Sequence, residues 1–539
     1  MDKKDFVNIA SYLPEMAKRL PDEPAVIVQG RGYTQYNFEE LNEKSDAIAN
    51  GLEAIGIRKG TRTVLMVQPS LEYFALTFAL FKVGAIPVMI DPGIGIKNLG
   101  KCLEEAEPEA FIGNPKAHTV RILLGWGKKT IRILVTVGTK VGWGGLRLKD
   151  LVRPGAYGMA RPKADDMAAI LFTSGSTGIP KGAVYTHGIF DNQVRLLSTV
   201  YGIKPGEKDL ATFPLFALFG PALGMAAIIP DMDASRPAQA DPSKIIQAIK
   251  DFNATNMFAS PALINKVGRY GAQHNVKLPS IRRVISAGAP ARAEDVERFS
   301  RMLSPGVEIF TPYGATEALP VSNIGSKEIL EETRKLTEKG KGNCVGRSVH
   351  GIELGIIKIT DEPIEAWSED LLLPSGEIGE IVVKGPIVTQ KYYNRQEATK
   401  LAKIPDAKNG GFYHRMGDVG YKDESGRVWF CGRKSHRVET SDGTFFTVPC
   451  EAVFNVHPKV YRTALVGAKG KPVLCVELEK NIPADKEQIR EELLALGSSF
   501  PHTSGIKTIL FHPGFPVDIR HNAKIFREKL AAWARSELS

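Results

Sequence analysis

Leu171-Phe172-Thr173-Ser174-Gly175-Ser176-Thr177-Gly178-Ile179-Pro180-Lys181-Gly182 is the stretch from which the rest of this chain is read. Met167–Phe172 is an apolar run of strand character. The residues after it are small and hydroxylated, and they end in Pro-Lys-Gly. Small residues let a backbone curl around a phosphate chain. Free N–H groups and hydroxyls donate to its oxygens, and a lysine adds charge. The spacing differs from GxxxxGK[ST], which needs glycine where Pro180 stands and Ser or Thr where Gly182 stands. A Gly/Ser linker would have no reason to follow an apolar strand, so a phosphate-bearing ligand is expected here.

Working outward, 63–67 reads as a buried strand, 73–83 as a helix and 86–90 as the next strand, after which Asp91-Pro92-Gly93 breaks the chain. This order predicts parallel sheets covered by helices. Met167–Phe172, 254–258 and 283–286 read as strand ends leading into loops. From about Gly376 the texture changes to short strands with close turns, such as 379–384 and 427–431. The last stretch mixes strands at 463–467 and 473–477 with helices at 486–496 and 525–536. The expected class is mixed α/β. A large N-terminal domain, 1–432, carries parallel-rich sheets covered by helices. A boundary near Gly432-Arg433-Lys434 separates it from a small mobile α+β domain, 433–539. No repeat of solenoid or propeller length is present.

The chain has 539 residues, 43% hydrophobic and 24% charged, which excludes a disordered or fibrous protein. Its net charge of +10 is unevenly spread: 116–153 holds nine basic residues against one acid, Asp150. There the charges alternate with Ile122-Leu123-Leu124, Trp126, Ile133-Leu134-Val135 and Trp143. That is the pattern of a peripheral membrane or partner-docking patch, although strands with solvated Lys and Arg look the same. No aromatic-rich basic strand motif occurs, and the basicity is local, so no nucleic-acid partner is expected. Cys102, Cys344, Cys431, Cys450 and Cys475 form no CxxC pair and no zinc-finger spacing, as suits reduced thiols in a cytoplasmic protein. The start, Met1-Asp2-Lys3-Lys4-Asp5, leads into no apolar signal segment. Two stretches resemble membrane spans. One, 71–90, contains Glu72 and Lys82; the other, 213–230, is punctuated by Pro214, Gly220, Pro221, Gly224 and Pro230. A buried segment lining an apolar pocket explains the second better than a lipid-facing helix.

The loop, with five further elements in order, resembles the AMP-forming, carboxylate-activating enzymes. Ser286-Ala287-Gly288-Ala289-Pro290 looks like their adenine-side loop, and Tyr313-Gly314-Ala315-Thr316-Glu317 is similar to YGxTE. Gly417-Asp418 looks like the ribose element and Gly432-Arg433 like the hinge. Lys524 stands where the C-terminal catalytic lysine is expected. The resemblance spans nearly the whole chain. It implies ATP and Mg²⁺ as cofactors. Thr173, Ser174, Gly175, Ser176, Thr177, Gly178 and Lys181 are then expected around the phosphates. Gly288, Ala289, Pro290, Tyr313 and Gly314 are expected around adenine, and Asp418 and Arg433 at ribose. Thr316 is implied at the α-phosphate, Glu317 at Mg²⁺, and Lys524 between the attacking carboxylate and the α-phosphate. Met416 and Cys431 are read as core residues.

Three departures from that pattern stand out. After Pro214-Leu215-Phe216, where most acyl-CoA ligases carry histidine, this chain has Ala217-Leu218-Phe219; the acyl pocket is expected to be walled by Phe216, Ala217, Leu218 and Phe219. After Arg433 it reads Lys434-Ser435-His436-Arg437-Val438-Glu439-Thr440, without the usual Lys-Asp and Gly near the thiol path of CoA. The lysine element, Asp518-Ile519-Arg520-His521-Asn522-Ala523-Lys524, lacks the common glycine before lysine. These stretches resemble the β-lactone synthetases of bacterial long-chain olefin biosynthesis. That subgroup implies adenylation of a long-chain 2-alkyl-3-hydroxy acid, followed by attack of its own hydroxyl. A fatty acyl-CoA or acyl-AMP ligase is the alternative within the fold, and a non-catalytic lipid-binding module the alternative outside it. His187 and His436 are chemically suited to take the hydroxyl proton, or are structural.

Overall fold

The computed structural model describes residues 6–30, 32–90, 94–172, 180–441, 443–480, 485–517 and 525–538. Strand Arg62–Met66, helix Leu71–Lys82 and strand Ile86–Ile90 follow one another, and the two strands pair in parallel. They belong to a seven-stranded sheet ordered Leu146–Arg147, Ile133–Thr136, Ala110–Gly113, Arg62–Met66, Ile86–Ile90, Met167–Phe172, Gly182–Thr186. Only the last pair is antiparallel. Val64, Val88, Ile112, Val135 and Ile170 are completely buried, as in a sheet covered on both faces.

A nine-stranded sheet stands beside it. Its central strands, Glu308–Ala315, Arg283–Ser286, Asn256–Ala259, Lys208–Ala211, Ala226–Ile229 and Pro24–Gln29, pair in parallel, and antiparallel strands close each end.

Burial accounts for the first membrane-like stretch. Helix Leu71–Lys82 is capped by Ser70, which accepts the Tyr73 N–H at 3.2 Å, and every residue from Tyr73 to Lys82 is buried. Lys82 Nζ donates to Asp46 Oδ1 at 2.6 Å and to Asn42 Oδ1 at 2.8 Å. Both partners lie on helix Phe38–Ala54. An unpaired buried ammonium is strongly destabilising, so these partners are what allow a lysine to end an apolar helix. The second stretch breaks into the short helices Pro214–Ala217 and Phe219–Ala222 and the strand Ala226–Ile229. Among the described residues no helix is long and apolar enough to cross a membrane.

A six-stranded antiparallel sheet follows, ordered Asn343–Cys344, Val428–Arg433, Phe412–Lys422, Gly379–Lys384, Glu353–Ile357, with Lys403–Pro405 paired on Phe412–Lys422. The change of texture therefore begins near Asn343, ahead of the expected Gly376. A strand as short as Asn343–Cys344 leaves no period to read.

Past Arg433 lie a two-stranded ribbon, a three-stranded sheet (Val460–Ala468, Lys471–Leu478, Thr508–Phe511) and helices Thr447–Phe454, Lys486–Ser498 and Arg527–Glu537. Their apolar cluster of Phe454, Leu465, Leu474 and Leu493 includes no residue before Val438. The last helix begins at Arg527, two residues later than expected. Ile525 instead bridges Val517, and the Phe526 N–H donates to the Pro516 carbonyl at 2.9 Å.

Candidate active site

A cavity of about 1600 Å³ opens where the parallel strands end. Its wall includes Thr212, Ser260 and Ala287, each just past the carboxyl end of a strand of the nine-stranded sheet. Parallel sheets bind ligands at that edge, because loops there vary without disturbing the core. Thr173, Ser174, Gly175, Ser176, Thr177 and Gly178 lie outside the described residues. Their flanks are fixed, however: Phe172 pairs with Gly182 across the antiparallel edge, and Pro180 and Lys181 line the cavity. Lys181 Nζ sits 5.0 Å from the centre of the Tyr392 ring, close enough for a cation–π contact.

The residues expected around a nucleoside come together. Gly288, Ala289, Pro290, Tyr313, Gly314, Asp418 and Arg433 all line the cavity. Gly288 has φ +99°, a conformation that favours glycine. A Cβ at Gly314 would stand 2.5 Å from the Ala318 carbonyl oxygen, so the hairpin closes only on glycine. Asp418 and Arg433 are facing partners on neighbouring strands. Arg433 Nη1 donates to Asp418 Oδ1 at 2.5 Å, and the Tyr313 hydroxyl donates to Oδ2 at 2.6 Å. Burial pushes the Asp418 carboxyl up, against the opposing pull of Arg433 and Tyr313. The result is a buried acceptor held in place by two donors.

Beneath Tyr313, Thr316 and Glu317 are held from the rear. The Tyr185 hydroxyl donates to the Thr316 carbonyl, the Tyr392 hydroxyl to Glu317 Oε1 at 2.7 Å, and the Thr389 N–H to the Glu317 carbonyl at 2.8 Å. Lys403 donates to the Thr389 carbonyl; its burial pushes the ammonium down to about 7, and Glu317 opposes this. Sequence reasoning missed Tyr185, Tyr392 and Lys403. They lie on separate strands and loops, and only the hairpin that carries Glu317 unites them. Gln193 was missed as well: its Nε2 donates to the Leu319 carbonyl at 3.0 Å, and its buried Oε1 meets no donor among the described residues.

One cation held by Glu317 matches the inventory. Among the described residues no cluster of three His, Cys, Asp or Glu side chains exists to cage a metal. Mg²⁺ commonly binds through one or two carboxylates plus substrate phosphates, so a single carboxylate on the wall of a phosphate-binding cavity fits it.

The part of the cavity expected to take the acyl chain is aromatic. Phe216, Leu218 and Phe219 line the cavity; Phe216 stacks on Phe258 with centroids 4.4 Å apart, and Phe219 neighbours Phe190 at 6.2 Å. Ala217 departs from expectation. It is completely buried in the core and does not reach the wall. Residues 216 and 219 share one side of the short turns, and 217 points away from it. Of the two histidines, His187 is structural: its Nδ1 accepts the Ile9 N–H at 3.3 Å, and it is absent from the cavity wall. His436 does line the cavity; burial, then Arg527 and Arg433, push it down to about 4, so it is neutral at pH 7. Cys431 is buried, as expected of a core residue, and all five cysteines are free. Met416 is also buried, though it touches the cavity.

The segment after Arg433 is tied down. Lys434 Nζ donates to the Thr360 carbonyl at 2.8 Å and lies 3.4 Å from Glu380 Oε2, which also binds Arg415. Arg437 pairs with Asp361 at 3.2 Å. Lys524 lies outside the described residues, but the residues that follow it are built into the cavity rim. Ile525, Phe526 and Arg527 line the cavity, and Arg527 is anchored by Glu451.

Comparison with known proteins gives this geometry its context. Residues 13–393 match the family described as AMP-binding enzyme. The olefin beta-lactone synthetase of Stenotrophomonas maltophilia is 50% identical to this chain, with 98% of each covered. That of Xanthomonas campestris pv. campestris is 49% identical at the same coverage. Among solved structures, an anthranilate CoA ligase in complex with anthranoyl-AMP superimposes with a TM-score of 0.82, covering 100% of this chain and 99% of that one. At 19% identity that likeness concerns the fold alone.

Proposed function

The chain belongs to the AMP-binding enzyme family, and from that premise we propose that it is an ATP-dependent β-lactone synthetase acting on a 2-alkyl-3-hydroxy fatty acid. The observation that carries this reading is the 50% identity to an olefin beta-lactone synthetase over 98% of both chains. In the first step the acid's carboxylate oxygen attacks the α-phosphorus of ATP and pyrophosphate leaves. Both reactants are anions, so the protein's work is positioning and charge compensation. Thr173, Ser174, Gly175, Ser176, Thr177, Gly178 and Lys181 hold the phosphates, Thr316 donates to the α-phosphate, and Lys524 spans carboxylate and phosphate. Tyr313 with Gly288, Ala289, Pro290 and Gly314 receives adenine, and Asp418 with Arg433 receives ribose. Glu317 would hold Mg²⁺, whose charge would offset the repulsion between phosphate oxygens and the incoming anion.

In the second step the 3-hydroxyl oxygen attacks the acyl carbon. The bond from that carbon to the phosphate oxygen breaks, its electron pair departs with AMP, and the hydroxyl proton is shed to the AMP phosphate. Closing a strained four-membered ring requires the hydroxyl to be aligned and water to be kept from the adenylate. The wall of Phe216, Leu218 and Phe219 suits that need. A swing of the C-terminal part to admit a thiol is not required, and the tethering of Lys434 and Arg437 to Glu380 and Asp361 supports a chain that dispenses with it. Within this reading the chain divides at Gly432-Arg433-Lys434 into a nucleotide- and acyl-binding domain, 1–432, and a lysine-bearing domain, 433–539. The 116–153 segment makes a peripheral contact.

Incubation with ATP, Mg²⁺ and such an acid is expected to give lactone, AMP and pyrophosphate at the same rate with or without CoA. A thioester formed only with CoA contradicts the proposal in favour of an acyl-CoA ligase. No AMP from any acid would leave the lipid-binding module.

A further inference from the structure

Exposed large aliphatic side chains are concentrated in one stretch of the chain. Of the twelve large hydrophobic residues exposed among those described, seven lie between Ile96 and Val152. Leu123 is 77% exposed, and Ile122 and Leu124 beside it about half. They sit at the end of helix Pro115–Leu123 and the turn after it, while Trp126 is buried beneath. A Cβ at Gly100 would stand 3.0 Å from the Trp126 indole nitrogen, so helix Ile96–Ala106 packs directly on that ring. Ile96, one turn before Gly100 and on the same side of the helix, is 60% exposed. Ile94 and Asn98, in the same turn, line the cavity and are themselves part-exposed. The apolar face thus borders a point where the cavity reaches the surface.

Cations lie on the same helix and in the residues that follow it. Lys116, Lys128, Lys129 and Arg132 are exposed, and none forms an ion pair with a described residue. The one acid of the segment, Asp150, is already paired with Arg147 at 2.6 Å. We infer that this face docks on an anionic lipid bilayer, with Ile96, Ile122, Leu123 and Leu124 at the acyl boundary and the lysines and Arg132 at the headgroups. Charge complementarity selects the occupant. A bilayer needs only apolar side chains that insert and cations that ring them, whereas a protein partner needs matched pockets and paired polar groups. The contact stands on exposure and charge alone. Its use, to pass a two-tailed acid into the cavity without crossing water, rests on the proposed function.

Sedimentation of the full chain with vesicles tests the inference. The protein is expected to pellet with phosphatidylcholine–phosphatidylglycerol vesicles and to stay in solution with phosphatidylcholine alone. Its binding is expected to fall at least about tenfold as salt rises from about 50 mM to about 500 mM. The triple change Lys128→Glu, Lys129→Glu, Arg132→Glu and the double change Leu123→Ser, Leu124→Ser are each expected to weaken binding about tenfold or more. A parent protein that ignores both vesicles overturns the inference and leaves the face to an acidic protein. Binding indifferent to salt overturns it too, and that arm needs no variant to fold. Failure of the adenylation reading shows separately, as missing pyrophosphate release with sedimentation intact.

Discussion

Lys524→Ala is expected to cut adenylation, measured as pyrophosphate release, by about a hundred- to a thousandfold, while ATP affinity changes less than about threefold. The expectation follows from where charge grows. As the carboxylate approaches the α-phosphorus, negative charge accumulates between two groups that were apart in the ground state. A lysine that reaches both interacts more strongly with the transition state than with either reactant, so its loss lowers kcat more than binding. Losing one preorganised donor to such charge typically costs this much. The residues on either side of the Lys524 segment are fixed: Val517 and Ile525 bridge each other, and Arg527 is held by Glu451 and donates to the Leu465 carbonyl at 3.0 Å. Normal pyrophosphate release in the variant would overturn the role; a parallel loss of ATP affinity would recast the residue as a binding group.

Asp418→Ala is expected to lower kcat/KM for ATP by about a hundredfold and also to lower stability. The nucleotide effect is the loss of a charged acceptor for two ribose hydroxyls, where a hydrogen bond to a charged group contributes about 1.5–3 kcal/mol. The stability effect comes from the partners left behind. Arg433 loses its facing carboxylate, and the buried Tyr313 hydroxyl loses its acceptor; leaving such a buried hydroxyl unsatisfied costs about 1–3 kcal/mol. Asp418→Asn keeps the shape and one acceptor, so its stability loss is smaller while the ATP defect remains. Urea unfolding and steady-state ATP titration separate the two effects. A lowered urea midpoint with an unchanged KM for ATP would make Asp418 a structural residue only.

Much of the site was legible because its residues sit in short, contiguous stretches at strand ends. The Tyr313–Glu317 stretch ends one strand and makes its turn, and the Gly288–Pro290 stretch makes one bend, so reading the segment locates the group. The acyl wall was read less well. Ala217 has an apolar side chain like its neighbours, and only the sense of the turn puts it in the core while Phe216 and Phe219 face the cavity. The supports behind Glu317 were illegible for another reason. Tyr185, Tyr392 and Lys403 come from three distant segments, and nothing in their spacing foretells that they converge behind the Thr316–Glu317 turn. The parallel sheets were evident from apolar runs between helices. Of the antiparallel sheet, strands Gly379–Lys384 and Val428–Arg433 were read, but its start at Asn343 was not, because a two-residue strand shows no alternation. The basic, apolar segment at 116–153 was visible as composition, but not that Trp126 packs against Gly100 and so sets it beside helix Ile96–Ala106.

The central claim is that the carboxylate is activated and the hydroxyl attacks it. A single turnover of acid carrying ¹⁸O in both carboxylate oxygens tests this most directly. One labelled oxygen becomes the bridge to phosphorus and departs when the acyl carbon is attacked; the other stays as the carbonyl. The account predicts one ¹⁸O in the AMP phosphate and one in the lactone carbonyl, with the ring oxygen unlabelled. A lactone that keeps both labels, with unlabelled AMP, would mean that the hydroxyl was activated and displaced by the carboxylate, and would contradict the account.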